Sequence, residues 1–376
     1  MSRETGLLKV WPTNGPPLLR KFTGCGLGYA SVAIAEGLIF TSGDFGDTEK
    51  VVAVDLEGRG KWSVANGKAW KGPQMGSRTT PTYSDGLVYQ LNAQGVLTAL
   101  AAASGKTVWS VDLKERFEAE VRTWGFAENV AVEGNLVFCT PGAPKGRVVA
   151  LDKKTGITVW ANTEITDRAA YGSPIIVSHL GKRVFLNFMR GSVVAVDISN
   201  GRLLWSFPHE STCDQNVTSP LFYQGAVFVT SGHRGGGRLI QLDTTGRNPK
   251  ESWFDKNFDN CHGGVIRVED HLYFCGCRLY NKGLICANYA SGNRAYKATE
   301  IGKVSLAYAD GLLYCFGNDG EMMLVDATPR AATIISQFKI PRQDEANTLA
   351  HPVVCGGRLY LRHLNDLLAY DVRAKQ

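Results

Sequence analysis

A segment of about 45 residues recurs along the whole chain, and no other feature restricts its folding so strongly. Each copy is a short apolar stretch, an Asp, two or three turn residues, a Gly, a basic or small residue and an aromatic. It reads Val52-Ala-Val-Asp55 followed by Trp62, then Leu97 to Ala101 followed by Gly105 and Trp109. Val149-Ala-Leu-Asp152 leads to Gly156 and Trp160, and Val194-Ala-Val-Asp197 to Gly201 and Trp205. Ile240-Gln-Leu-Asp243 leads to Gly246 and Trp253, and weaker copies follow at Asn288, Asp326 and Asp371. Positions 55 to 371 hold seven intervals of about 45 residues, the length of a four-stranded propeller blade.

Between these marks lies a second recurring unit, two apolar strands joined by a Gly turn. Tyr83-Ser-Asp-Gly86-Leu-Val-Tyr89 and Tyr308-Ala-Asp-Gly311-Leu-Leu-Tyr314 are examples. Asp-Gly between two apolar runs is a strong hairpin signal. Each repeat therefore reads as four antiparallel strands. Such a sheet is apolar on both faces and must stack against its neighbours, and radial stacking closes into a ring. The expected fold is all-β: an eight-bladed propeller formed by residues 1–376 as a single domain. The final repeat stops at Gln376, short of its outer strand, while Leu7-Leu-Lys-Val-Trp11 is strand-like with no repeat before it. Residues 7–11 are thus expected to complete the blade of residues 349–373 and remove an exposed edge.

Ala150-Leu-Asp152-Lys-Lys-Thr155-Gly156-Ile-Thr-Val-Trp160 and Ala195-Val-Asp197-Ile-Ser-Asn-Gly201-Arg-Leu-Leu-Trp205 resemble the signature of the pyrroloquinoline-quinone (PQQ)-type propeller repeat. The resemblance covers essentially the whole chain. It implies one of two kinds of function: a quinone-dependent alcohol or sugar dehydrogenase with PQQ and Ca²⁺ on the ring axis, or a cofactor-free docking propeller, as in the outer-membrane assembly machinery of bacteria. It is also similar to stand-alone bacterial envelope propellers. The adjacent cysteine pair of the large dehydrogenases, their long insertions and a Cys-x-x-Cys-His haem site are all missing from this sequence.

Composition narrows the remaining choices. The chain carries a formal net charge of +6, with Lys and Arg spread over all repeats rather than gathered in a stripe, so nucleic acid is not expected as a partner. No run of about 18 apolar residues is present to span a membrane. Met1-Ser-Arg-Glu-Thr does not read as a signal peptide, so the expected location is the periplasm or cell envelope if a leader has been removed, and otherwise the cytoplasm. Of the nine cysteines, most sit in strand-like segments as small core hydrophobes. Cys275 and Cys277 share a strand face near Cys286, but their spacing fits no standard zinc pattern and no metal site is assigned.

Aligning the first strand of each repeat on its Gly turn gives two columns at the axial opening. The first holds Tyr29, Arg78, Phe126, Tyr171, Val217, His262, Lys303 and Leu349; the second holds Ser31, Thr80, Glu128, Ser173, Ser219, Gly264, Ser305 and His351. Unpaired charge is costly in a packed strand, so Arg78, Glu128, His262, Lys303 and His351 point to a wet funnel. Tyr29, Arg78, Glu128, Tyr171, His262, Lys303 and His351 are the candidate ligand contacts, and Trp124 is a possible stacking face at the rim. The leading expectation is a monomeric, non-catalytic binding or scaffold propeller that holds a protein segment or small polar ligand without a cofactor. The alternative is a PQQ- and calcium-dependent dehydrogenase, with Lys303 or Arg78 on the quinone. A third reading pairs Glu128 with His262 or His351 as acid and base.

Overall fold

In a computed structural model, which describes residues 2–211, 215–276, 282–342 and 344–374, eight four-stranded antiparallel sheets form the ring. Blades one to seven span residues 33–68, 82–112, 131–162, 175–208, 221–255, 265–298 and 304–339. Blade eight takes Val353–Cys355, Arg358–His363 and Asp366–Asp371 from its own repeat. The first strands of successive blades touch one another, which places them innermost. The longest helix among the described residues is the single turn Leu113–Phe117.

Local chemistry explains the repeat. In blade three the Asp152 carboxylate accepts from the Lys154 and Thr155 amides at 3.1 and 2.9 Å and from the Thr155 hydroxyl at 2.8 Å. Gly156 follows at φ +69°, a left-handed conformation that suits a residue without Cβ. A bulge then falls between the partners of Ala150 and Leu151 and sets Trp160 opposite Ala150. From there the indole reaches blade four: its N–H donates to the Ile198 carbonyl at 3.0 Å, and its ring lies where a Cβ on Gly201 would be, within 2.5 Å.

The same lock joins Trp62 to Ala102, Trp109 to Lys153 and Trp253 to Tyr289, at 2.9, 2.9 and 3.0 Å. Each time the donor meets the residue after the next repeat's Asp position. The repeat is therefore an inter-blade joint as well as a turn. Clusters such as Phe138, Ala150, Phe185 and Val194 fill the space between neighbouring sheets.

Ring closure corrects the sequence reading in its details. The chain ends do share blade eight, but its outer strand is Leu18–Thr23, paired with Asp366–Asp371, and not residues 7–11. Leu7 makes only an isolated bridge to Arg373. Trp11 has a different task. In blade seven the position opposite Leu324, where blades one to five carry Trp, holds Ser336; Phe338 comes two residues later. Trp11 is 3% exposed, its amide donates to Ser336 Oγ at 3.1 Å, and its ring packs on Tyr314 and Phe338 at 5.8 and 5.5 Å. Trp160 and Phe138 stand at the same 5.8 Å in blade three. The N-terminal segment thus supplies the indole that repeat seven lacks.

Candidate functional site

Residues from the inner ends of all eight blades enclose one cavity of about 1030 Å³ on the ring axis. Tyr29, Arg78, Tyr171, His262, Lys303 and His351 line it as the columns suggest, and so does Trp124. Glu128 does not. Its side chain is buried away from this wall, with Oε1 accepting from the Thr140 amide at 2.6 Å, and burial raises its pKa. The cause is one residue of register: the hairpin of blade three is Gly134-Asn135, with Gly at the first turn position, whereas Glu36-Gly37 and Asp85-Gly86 have it second. Counting back from Gly134 therefore lands on the wrong face. Ala127 and Asn129 line the funnel instead of Phe126 and Glu128, and Asn129 Oδ1 accepts from the Thr80 amide at 2.7 Å. This placement also separates Glu128 from His262 and His351 and removes the acid-base pairing.

The wall is basic and aromatic. The Arg78 guanidinium lies 5.1 Å from the Trp70 ring and donates to the carbonyls of Trp124, Gln74 and Gly76, so it pins two inter-blade loops. Burial lowers its pKa, yet an arginine stays charged at any ordinary pH. Burial also raises the pKa of Tyr29, against the pull of Arg78; its hydroxyl meets Gln74 Oε1 at 3.3 Å. His262 is pushed down to about 3 by burial, by Lys303 and by His351, so its ring is neutral. His351 places its two ring nitrogens 3.2 and 2.9 Å from the carbonyl oxygens of Leu306 and His262. With Glu128 excluded, no acidic side chain lines the funnel among the described residues, and Arg78 and Lys303 leave it net positive.

Gln74, Asn129, His233 and Asn347 belong to the wall and were not singled out from the sequence. Asn129 was within reach of strand phase; the others sit in loops that no periodicity marks. Of the sulfur cluster, Cys277 lies outside the described residues. Cys275 and Cys286 are buried free thiols whose pKa values burial raises, as befits core hydrophobes. Among the described residues no group of three or more His, Cys, Asp or Glu is placed to hold a metal.

The sequence model for outer membrane protein assembly factor BamB matches residues 47–298, well over half of the chain. The chain belongs to the BamB family. BamB from Moraxella catarrhalis superposes with a TM-score of 0.67 at 14% identity over 96% of this chain and 98% of that one, which shows the shared fold. Quinohemoprotein alcohol dehydrogenase from Comamonas testosteroni gives 0.65 at 13% identity, over 96% of this chain and 77% of that one. By sequence, quinohemoprotein alcohol dehydrogenase ADH IIB of Pseudomonas putida is 33% identical over 143 residues, 35% of this chain and 20% of that protein. BamB of Moranella endobia is 28% identical over 152 residues, 40% of this chain and 34% of that protein. The chain thus aligns with about a fifth of the length of the first of these curated relatives. These matches overturn the expectation of a non-catalytic binding or scaffold propeller, because relatives of this BamB-family chain are named as quinoprotein alcohol dehydrogenases.

Proposed function

We propose that the axial funnel binds a planar, polyanionic quinone of the pyrroloquinoline type and that the protein is a quinoprotein oxidoreductase. The observation that carries this reading is the make-up of the wall: two cations, the aromatic faces of Tyr29, Trp124 and Tyr171, and no acidic side chain among the described residues. Arg78 and Lys303 would meet the carboxylates of such a group, and an aromatic face would cover its ring. When bound, the quinone supplies the capacity to take two electrons and hydrogen from an alcohol. The funnel residues hold and orient it. Neutral His262 adds no charge, and with its pKa near 3 it is a weak proton acceptor.

The calcium partner is a different matter. A hard divalent cation wants several oxygen ligands, carboxylates foremost, and the described funnel residues offer no carboxylate. The residues therefore fit the organic acid and not a protein-held calcium ion, and no step is assigned to a metal. Family membership supports a protein partner in addition to the funnel ligand. The disulfide at Cys261, on the funnel wall, supports an oxidising compartment such as the periplasm.

Titration with PQQ, followed by quinone absorbance with EGTA or with Ca²⁺, tests the proposal. Binding is expected in the micromolar range with or without calcium, and Lys303→Gln is expected to weaken it about tenfold or more. Dye-linked oxidation of primary alcohols by the loaded protein is the matching activity assay. Absence of PQQ binding would overturn the reading, and binding that requires calcium would overturn its metal-free form.

A further inference from the structure

Four of the five bulged tryptophans make the inter-blade lock, and Trp205 does not. Trp62, Trp109, Trp160 and Trp253 each donate to a carbonyl of the next blade. Their rings lie 2.5–2.7 Å from where a Cβ on that blade's turn glycine would stand. The matching acceptor for Trp205 is the Thr244 carbonyl, yet the Trp205 N–H has no acceptor among the described residues. Trp205 is 5% exposed, and its indole nitrogen is not shut off from solvent.

The turn of blade five is the cause. Gly105, Gly156, Gly201 and Gly292 each donate to the carbonyl four residues back, whereas Gly246 donates three residues back, to Asp243 at 2.9 Å. With the turn closed one residue early, the Thr244 carbonyl is not brought to the indole. The ring over the glycine also changes: a Cβ on Gly246 would meet His179 at 2.8 Å. His179 comes from the inner hairpin of blade four and stands edge-on to Phe222 at 5.4 Å.

The unmade lock leaves a slot of about 180 Å³ between blades four and five. Val177, Leu186, Leu204, Phe222 and Leu242 form its apolar wall with Trp205. Lys182 and Arg247 also line it, and no acidic side chain does among the described residues. Lys182 is engaged by Asp197 at 3.6 Å. Arg247 is exposed, and its guanidinium has no partner among the described residues. The nearby Asp243 carboxylate is taken up by Thr245, Asn248 and the Arg247 amide.

We propose that this slot binds a small aromatic carboxylic acid, a single benzene ring with its carboxylate one or two bonds away. An apolar cavity of about 150 Å³ is enough to hold benzene, so the volume admits one ring and a short substituent. A flat ring suits a gap between facing sheets, where the other joints seat an indole. The carboxylate offers an acceptor to the Trp205 N–H and a counter-charge to Arg247. The site is independent of the funnel proposal, although Phe222 borders both cavities.

The test titrates the full chain with phenylacetate, benzyl alcohol and acetate at constant ionic strength, followed by saturation-transfer NMR and calorimetry. Phenylacetate is expected to bind with a Kd of about 1 mM or below, about fivefold or more tighter than benzyl alcohol, and acetate not to bind. Arg247→Gln is expected to remove that preference and leave the acid and the alcohol alike. Val177→Phe is expected to fill the slot and abolish binding; should it fail to fold, Arg247→Gln, at an exposed position, carries the test. Lys303→Gln is expected to leave phenylacetate binding unchanged. The proposal fails if phenylacetate does not bind, if benzyl alcohol or acetate equals it, or if the slot variants respond like wild type. It fails equally if Lys303→Gln abolishes binding, since the acid would then occupy the funnel, or if N-acetyl-Ala-Phe binds more tightly, since the occupant would then be a chain end.

Discussion

Glu49 shows how a single residue can make this fold sensitive to pH. It is fully buried, Oε1 accepts from Gln90 Nε2 at 3.2 Å, and Oε2 has no partner. Burial, reinforced by Asp44, pushes its pKa from 4.5 up to about 8. Between those values the folded chain keeps a proton that the unfolded chain has lost, so this group's contribution to stability is complete below pH 4.5 and declines as pH rises through about 8. His209 and His262 work in the other sense, because both are held neutral with pKa values near 3 and cost stability only as pH falls below 6.5. Above pH 6.5, therefore, wild type should lose melting temperature toward pH 9 on account of Glu49, and Glu49→Gln should show a flatter profile. Parallel profiles for the two proteins would show that Glu49 is ionised in the fold. Nothing in the repeat signals this residue, since its strand position resembles that of any polar neighbour.

Among elements, the joint between blades is where local sequence and long-range packing meet. The Asp turn, the Gly and the bulged Trp are adjacent in the chain and legible as a motif, and the structure adds the target of the indole, one blade on. Blade seven shows the limit of that legibility. Its strand carries an aromatic, Phe338, but strand pairing places Ser336 at the Trp position, and Trp11 fills the gap from more than 300 residues away. Trp11→Ala should destabilise the protein by about 3–5 kcal/mol, the usual range for deleting a buried aromatic side chain. Chemical denaturation that finds less than about 1 kcal/mol would mean blades seven and eight repack without the indole. A change at Val10, which is 61% exposed, serves as the neutral control.

For the molecule as a whole, closure decides stability, because an open ring would leave one sheet with an unpaired edge. Two devices close it. Leu18–Thr23 adds the fourth strand to blade eight, and Arg362 of that blade reaches into blade one. Its guanidinium is buried and donates to Thr41 Oγ1 and to the carbonyls of Ala30, Ser42 and Gly26 at 2.5, 3.1, 2.6 and 3.1 Å. We propose on this basis that residues 1–376 unfold as one domain. Limited proteolysis of the intact protein should give no long-lived fragment of a few blades, whereas removal of residues 1–23 should make every blade susceptible. A stable sub-fragment would contradict the single domain.

Blade number, strand order and the turn chemistry were set by the sequence alone, because they depend on a period and on residues a few positions apart. Six of the seven candidate funnel residues were legible for the same reason, since first strands of equivalent repeats occupy equivalent places on a ring. Glu128 was lost to a single-residue shift, because strand faces alternate and a Gly at the other turn position reverses the count. Only tertiary structure could decide which N-terminal residues close the ring, where Trp11 lodges, and that Val177, Trp205 and Arg247 share a cavity. Such choices depend on loops that carry no periodicity and on contacts between segments far apart in the chain, where the competition among packings, and not local preference, selects the outcome.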